Sequence, residues 1–574
     1  MKNYLIFFIL LSTSSVFTQT PFEKFSEEIK YIIQNEDEEH LIWIYFTDKG
    51  TDAESYLLNP ETVISKQSVV RREKVLAKKN IIDFSDIPVN QNYINEIISS
   101  GFRVKHKSKW FNAVSGYATS DELKKISELS FIKNIDVVRK FKNQRIDIDE
   151  TKIYSVNKTN LQPEGVHTYN YGASYTQSAI SNIPQVHDLG YKANGITICL
   201  MDAGFANLSH EVFQNMNIIA MYDFVAGSTT MVGHSHGTAT LSLIGGFKEG
   251  QLVGPAFGAN FILARTENDP ASETPQEEDN WIAAMEWADS IGVDVTSTSL
   301  GYLTFDPPYK SYTWQDMDGN TAIITKGADI AASKGIVVVN SAGNSGYDPN
   351  HNTLGAPADG DSVITIGSVD ASGNRAYYSS VGPTVDGRIK PDLMVMGMGT
   401  YIALTSSPTA YTISATGGTS YACPIAAAVA ALLLSVNPSL TPMEIRDILR
   451  QTASNCSNPD NLIGWGIVDA LAAVNLVLTD VKEETFPDNY FILSNYPNPF
   501  NPSTKIKYYI PQNSFVKITL HDILGSEIRT LVNENAQPGN YEIILDGSDL
   551  SSGMYFVRLS SENIQKTLKI SLIK

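Results

Sequence analysis

The chain has 574 residues, 43% of them hydrophobic and 18% charged, enough apolar material for roughly two to four domain cores. Its formal net charge of −19 excludes nucleic acid as a partner, because phosphate binding needs a surplus of Lys and Arg. Only three cysteines occur, Cys199, Cys423 and Cys456. Their number excludes a disulfide framework, their spacing lacks the Cys-x-x-Cys of a zinc site, and Cys199 and Cys423 read as small buried hydrophobes. The acidity is uneven. Residues 151–480 carry 13 Lys and Arg against 30 Asp and Glu, whereas residues 21–150 carry 20 against 22. The two stretches are therefore read as distinct units, and the surplus carboxylates could supply oxygen ligands for structural calcium.

Lys2, the apolar run at residues 5–11 and the small polar residues at 12–18 read as a signal peptide over residues 1–19, with a run too short to span a bilayer. No later stretch reaches membrane-spanning length free of Gly, Pro or charge, so no transmembrane anchor is expected. Residues 20–147 read as a small α/β unit. Strands are expected at 41–46, 102–104 and 113–117, a basic helix-like stretch at 63–79, and helices at 93–98 and 121–129, the last with Ser120 as N-cap. The basic run at 139–145 reads as an exposed linker and cleavage region.

From about residue 169 to 478 the pattern changes. Apolar runs at 196–201, 260–263, 335–339 and 362–366 alternate with helix-length segments. Continuous runs of this kind suit a parallel sheet covered on both faces, in a doubly wound α/β domain over 148–480. A linker follows at 481–494. The tail, 495–574, opens on the turn-rich Asn495-Tyr496-Pro497-Asn498-Pro499-Phe500. It continues as alternating strands at 506–510, 516–520, 541–545, 554–559 and 569–574, the pattern of a small β-sandwich.

Three polar residues carry the chemistry. Ser420 lies in Gly417-Gly418-Thr419-Ser420-Tyr421-Ala422-Cys423-Pro424, ahead of an apolar helical run at 425–434. A hydroxyl at a helix N-terminus sits where N–H groups favour developing negative charge, and Pro424 is expected in the first turn. A serine hydroxyl needs a base, and His236 in His236-Gly237-Thr238 just before a helical run is the candidate. Asp202 closes the strand run 196–201 at the carboxyl end, where α/β sites form, and can orient that base.

The order Asp, His, Ser is that of subtilisins. The segments Met201-Asp202-Ala203-Gly204, His236-Gly237-Thr238 and Gly418 to Pro424 resemble the signature motifs of subtilisin-like serine proteases, the subtilase (S8) family. Ser299-Leu300-Gly301 resembles the strand lining that family's substrate cleft, and Ser341-Ala342-Gly343-Asn344 the motif whose Asn donates to the oxyanion. Ala203, Tyr421 and Cys423 depart from the usual residues without removing a reactive group.

The resemblance implies a secreted serine endopeptidase made as a zymogen. Asp202, His236 and Ser420 would be catalytic, Asn344 would serve the oxyanion, and Ser299, Leu300, Gly301, Ser341, Ala342 and Gly343 would bind protein or peptide substrates. No cofactor is required for the chemistry. By position, residues 20–147 correspond to a propeptide, a partner of the enzyme. The tail resembles C-terminal sorting domains of the type IX secretion system, which implies secretion machinery as a partner and a secreted or cell-surface location. A catalytically inactive subtilase-fold surface adhesin or binding protein is the alternative. A lipase is disfavoured, since Gly-x-Ser-x-Gly and the order Ser, Asp, His are both lacking.

Overall fold

Seven short runs of apolar and β-branched residues stack side by side in a computed structural model that describes residues 20–574 apart from 36–37, 52, 77–79, 139–166, 232, 268–276, 304–310, 480–492, 497, 499, 511–512, 524, 538, 562–563 and 573. The expected signal peptide and the basic run 139–145 lie outside the described residues, as does most of the expected linker. The chain divides into two compact units, one ending at Leu478 and one beginning at Thr479.

The first unit begins with a four-stranded antiparallel sheet. It is formed by β1 (His40–Phe46), β2 (Arg103–Ser108), β3 (Ala113–Ala118) and β4 (Ile132–Val137), in the order β2-β3-β1-β4. Alternation along β1 serves both faces. Ile42, Ile44 and Phe46 enter a core with Ile94, Ile97, Leu123 and Ile126. Leu41 and Trp43 point the other way. The helix Ser120–Ser127 is capped by Thr119, not by the expected Ser120. Thr119 is extended, accepts from Glu122 N, and receives the Glu122 carboxylate on its own N–H at 2.8 Å. Between β1 and the helix Gln91–Ser99 lies an inserted segment bearing α1 (Lys66–Arg72).

The larger sheet is all parallel. It comprises β5 (Thr197–Asp202), β6 (Asn217–Asp223), β7 (Asn260–Arg265), β8 (Val295–Thr298), β9 (Val337–Ser341), β10 (Ile364–Val369) and β11 (Leu393–Met396), ordered β11-β10-β9-β8-β5-β7-β6. Helices cover both faces, as the continuous apolar runs predict. Ile198 and Leu200 of β5 pack with α2 (His236–Gly245) and with an Ala- and Leu-rich helix that follows β11. Cys199 and Met201 pack on the other face with α3 (Glu277–Ile291) and α4 (Ile323–Ser333). The Ala- and Leu-rich helix is α5 (Thr419–Val436). Among the described residues it alone is long and apolar enough to cross a membrane, and it is the buried core helix of the domain. Leu41, Trp43, Trp110 and Ala113 join the α3/α4 cluster, so the outer face of the small sheet rests on those two helices.

The named strands of Thr479–Lys574 all pair antiparallel. Its two sheets are β12 (Leu493–Tyr496), β13 (Ser503–Ile510) and β16 (Gly539–Asp546), ordered β12-β13-β16, and β14 (Ser514–His521), β15 (Glu527–Ala536), β17 (Gly553–Ser561) and β18 (Ile564–Leu572), ordered β15-β14-β17-β18. Ile506, Ile518, Leu520, Leu545, Val557 and Leu559 fill one core between them.

Candidate active site

Asp202 is the last residue of β5 and is 1% exposed. Its Oδ1 accepts from Ala203 N at 2.7 Å and from His236 Nδ1 at 2.8 Å, and its Oδ2 accepts from Thr240 Oγ1 at 3.0 Å. With these three bonds donated toward it, the carboxylate fixes the imidazole so that Nδ1 carries the proton and Nε2 presents a lone pair. Gly237 makes this approach possible. A Cβ there would stand 2.1 Å from Gly204 O and 3.1 Å from Asp202 Cβ.

His236 is the first residue of α2 and is buried. Its ring stacks on Tyr421, centroids 5.8 Å apart, which sets it beside Ser420. Ser420 is the second residue of α5. Gly417 turns the chain into that helix with φ +65°, and a Cβ on it would meet Gly397 O at 2.2 Å. Ser420 Oγ donates to Ser299 O at 3.1 Å and makes no bond to His236 among the described residues. A hydroxyl of this kind reaches its base by a rotamer change, and such bonds tighten when substrate arrives.

Pro424 is the sixth residue of α5, not part of its first turn as the sequence suggested. It therefore removes the N–H that would bond Ser420 O. Ser299 Oγ supplies the missing donor at 2.8 Å. Ser299 and Ser420 thus hold each other reciprocally, hydroxyl to carbonyl.

Asn344 follows β9. Its Oδ1 accepts from Thr419 N and Thr419 Oγ1, both at 3.0 Å, so the amide is oriented with Nδ2 turned to the open side. The space beside Gly418 Cα is faced by Ser420 N and Asn344 Nδ2, 3.7 and 3.8 Å from where a Cβ would stand. Two N–H donors and the positive end of an 18-residue helix converge there, an arrangement that stabilises an oxyanion.

The remaining expected residues frame this space. Ser299, Leu300 and Gly301 continue from β8 but lie outside its ladder, unlike the strand expected. Leu300 O is held by Asn340 Nδ2 at 3.0 Å and Ser341 Oγ at 3.4 Å, and Tyr302 pairs with Ala356. Ser341 ends β9, Ala342 N donates to Ile366 O, and Gly343 O accepts from Thr419 Oγ1 at 3.2 Å. Cys423 is fully buried, and burial pushes its thiol up to about 12, so it is a core residue closed to reagents. Thr240, Thr419 and the Ser299 hydroxyl were not anticipated as positioning groups. Thr240 stands one helical turn after His236, a spacing that could have flagged it.

Calcium finds no evident cage. Among the described residues, no cluster of three or more His, Cys, Asp or Glu side chains is arranged to hold a metal ion.

A parallel sheet with an Asp–His pair at its carboxyl edge, a serine at a helix N-terminus and two oxyanion donors defines a serine hydrolase of the α/β class. Comparison with known proteins fixes the class further. Residues 193–466 match the subtilase family, 41–153 the peptidase S8 propeptide domain of Bacteroidota, and 494–574 the secretion system C-terminal sorting domain. The chain is 32% identical to subtilisin DY of Bacillus licheniformis over 291 residues, 50% of this chain and 94% of that protein. It is 27% identical to subtilisin E of Bacillus subtilis strain 168 over 429 residues, 74% and 91% of the two chains. It is 31% identical to a subtilisin of Bacillus pumilus over 294 residues, 50% and 94%. The chain belongs to the subtilase family. It is a serine-type endopeptidase with an N-terminal propeptide and a sorting tail, secreted or displayed at the cell surface.

Proposed function

We propose that Ser420 is the nucleophile of a Ser420-His236-Asp202 triad that cleaves peptide bonds through an acyl-enzyme. His236 Nε2 takes the Ser420 proton as Oγ attacks the scissile carbonyl carbon. The oxyanion so formed lies between Asn344 Nδ2 and Ser420 N. Collapse expels the amine, which leaves with the proton from His236. Water, deprotonated by the same imidazole, then hydrolyses the ester and frees Ser420. Asp202 keeps the tautomer and stabilises the imidazolium. The backbone of Ser299, Leu300 and Gly301 pairs with an extended substrate as an added strand, and Ser341, Ala342 and Gly343 line the pocket next to it. The observation that carries this reading is the buried 2.8 Å bond from His236 to Asp202, set beside a serine whose helix N-terminus faces Asn344.

The same reading assigns residues 1–19 to a signal peptide, 20–147 to the propeptide, 148–480 to the catalytic domain, 481–494 to a linker and 495–574 to the sorting domain. The enzyme acts on proteins or peptides, is restrained by its own propeptide, and meets the secretion machinery through its tail. Labelling of the processed enzyme by a fluorophosphonate, mapped by mass spectrometry, is the test. The label is expected on the peptide containing Ser420 and absent from Ser420→Ala. A processed chain that neither labels nor hydrolyses casein would establish the inactive adhesin instead.

A further inference from the structure

At the opposite end of the large sheet, where chain enters the strands, buried charges gather. α3 ends at Ile291, and its last carbonyls have no donors within the helix. The inserted segment of the N-terminal unit, the small α/β unit of residues 20–147, supplies them. Ser65 N donates to Ser290 O at 3.0 Å, Ser65 Oγ to Ile291 O at 2.7 Å, and Ser68 Oγ to Asp289 O.

One turn further along α1, the Arg71 guanidinium meets three acceptors of the catalytic domain. Nη1 donates to Val293 O at 2.6 Å, Nε to Lys334 O at 3.1 Å, and Nη2 to Asp289 Oδ1. Arg72 takes the other Asp289 oxygen at 2.6 Å and grips Asp86 with both terminal nitrogens, at 2.8 and 2.9 Å. Lys334 Nζ closes the network on Asp86 at 3.0 Å. Arg71, Arg72, Asp86 and Asp289 are each at most 1% exposed. Burial alone would raise the Asp289 carboxyl, but the adjacent arginines hold it below its ordinary range.

We propose that Asp289, with the carbonyls of Val293 and Lys334, forms a guanidinium-binding site on the catalytic domain, and that Arg71 in this site keeps the N-terminal unit on the enzyme after the chain is cut between them. The inference rests on the zymogen reading above. Val293 enters β8 and Ser299 leaves it, so site and cleft are separated by about 20 Å of strand. The anchor therefore acts independently of anything seated in the cleft. Its shape selects the ligand. Three acceptors answer three nitrogens of one planar fork, which an ammonium cannot match. Removing one partner of a buried, hydrogen-bonded pair leaves the other charge uncompensated, so the anchor holds strongly while intact. The inserted segment carries its own small cluster of Ile64, Ile81 and Ile82, apart from the core beneath the four-stranded sheet.

The test uses the full chain, allowed to process itself. Retention of the cleaved fragment is read by size-exclusion chromatography, and its release by the lag before casein hydrolysis. Arg71→Ala is expected to shorten the lag about 100-fold, and Arg71→Lys by less, since it keeps the charge and loses the fork. A variant that is cut normally yet releases its fragment at the unmodified rate overturns the proposal. Where Arg71→Ala does not accumulate, Ser65→Ala with Ser68→Ala replaces it. That pair keeps every charge and is expected to shorten the lag about tenfold, and an unchanged lag counts equally against the anchor. Failure of the underlying reading looks different: either the unmodified chain neither cuts itself nor hydrolyses casein, or Ser420→Ala does both as the unmodified chain does.

Discussion

At the carboxyl ends of the strands, Asp202, Ser299 and Asn344 follow or close β5, β8 and β9 around a helix N-terminus. At the amino ends, Val293 and Lys334 lead into β8 and β9 beside two arginines and two aspartates. The first region uses few formal charges. Its electrostatics come from N–H groups and a helix dipole aimed at a space where, in the proposed mechanism, charge develops only during reaction. The second region uses full charges that are already paired in the bound state. Such a network stabilises one bound state and gives nothing to a transition state. Catalysis and restraint can therefore occupy one sheet without competing for the same groups.

Substitutions at the carboxyl end should remove turnover and spare the complex with the N-terminal unit. After loss of Ser420 or His236 themselves, the largest effect is expected from Asp202→Asn. It keeps the shape but favours the wrong imidazole tautomer, and kcat should fall about 10⁴-fold with little change in KM. Asn344→Leu removes one oxyanion donor. Its kcat should fall about 10²- to 10³-fold, the range established for such a donor in a subtilisin. If KM rose instead, Asn344 would be binding substrate in the ground state and the contrast between the two regions would weaken.

A smaller effect, in pH, sharpens the comparison from the other side. Glu286 on α3 accepts from Ser108 Oγ at 2.5 Å, Lys109 N at 2.9 Å and Trp110 N at 3.2 Å, all from the N-terminal unit. Burial raises its carboxyl to about 7, against a partial lowering by those donors and the Lys109 charge. With the unit gone, Glu286 meets water and returns to the ordinary carboxylate range. The bound state thus takes up a proton. Its extra stability is complete below the ordinary glutamate range and is lost as pH rises through about 7. Release of the cleaved fragment should be several-fold faster at pH 8 than at pH 5.5, and Glu286→Gln, neutral throughout, should flatten that difference. Equal pH dependence in the variant would move the titrating group elsewhere.

Much of the proposed carboxyl-end site is legible because each residue assigned to it lies within a few residues of the glycines and turns that place it. Asp202, His236, Asn344 and Ser420 could be named before any fold was known. The Ser299 hydroxyl could not, because its partner is a carbonyl 121 residues away that only Pro424, displaced from the first turn, leaves without a helical donor. Arg71 and Arg72 read only as part of a basic helix. Their burial depends on Asp289, some 218 residues further on. The strands β8 and β11 escape a sequence reading because each spans only four residues, and β6 because it is a half-exposed strand at the sheet edge. In the tail β15 was missed because, as an edge strand, it is mostly exposed and lacks the alternation of its neighbours. Boundaries such as 260–263 against Asn260–Arg265 were set short because apolar runs stop before the ladder does.

The central claim is that Ser420 becomes a working nucleophile only when the N-terminal unit has left. Active-site titration with a fluorophosphonate, before and after release of that unit from one preparation, tests it most directly. The account predicts little label in the complex and close to one label per chain, on Ser420, in the released enzyme. Equal labelling in both states, or label on any other residue, would contradict it.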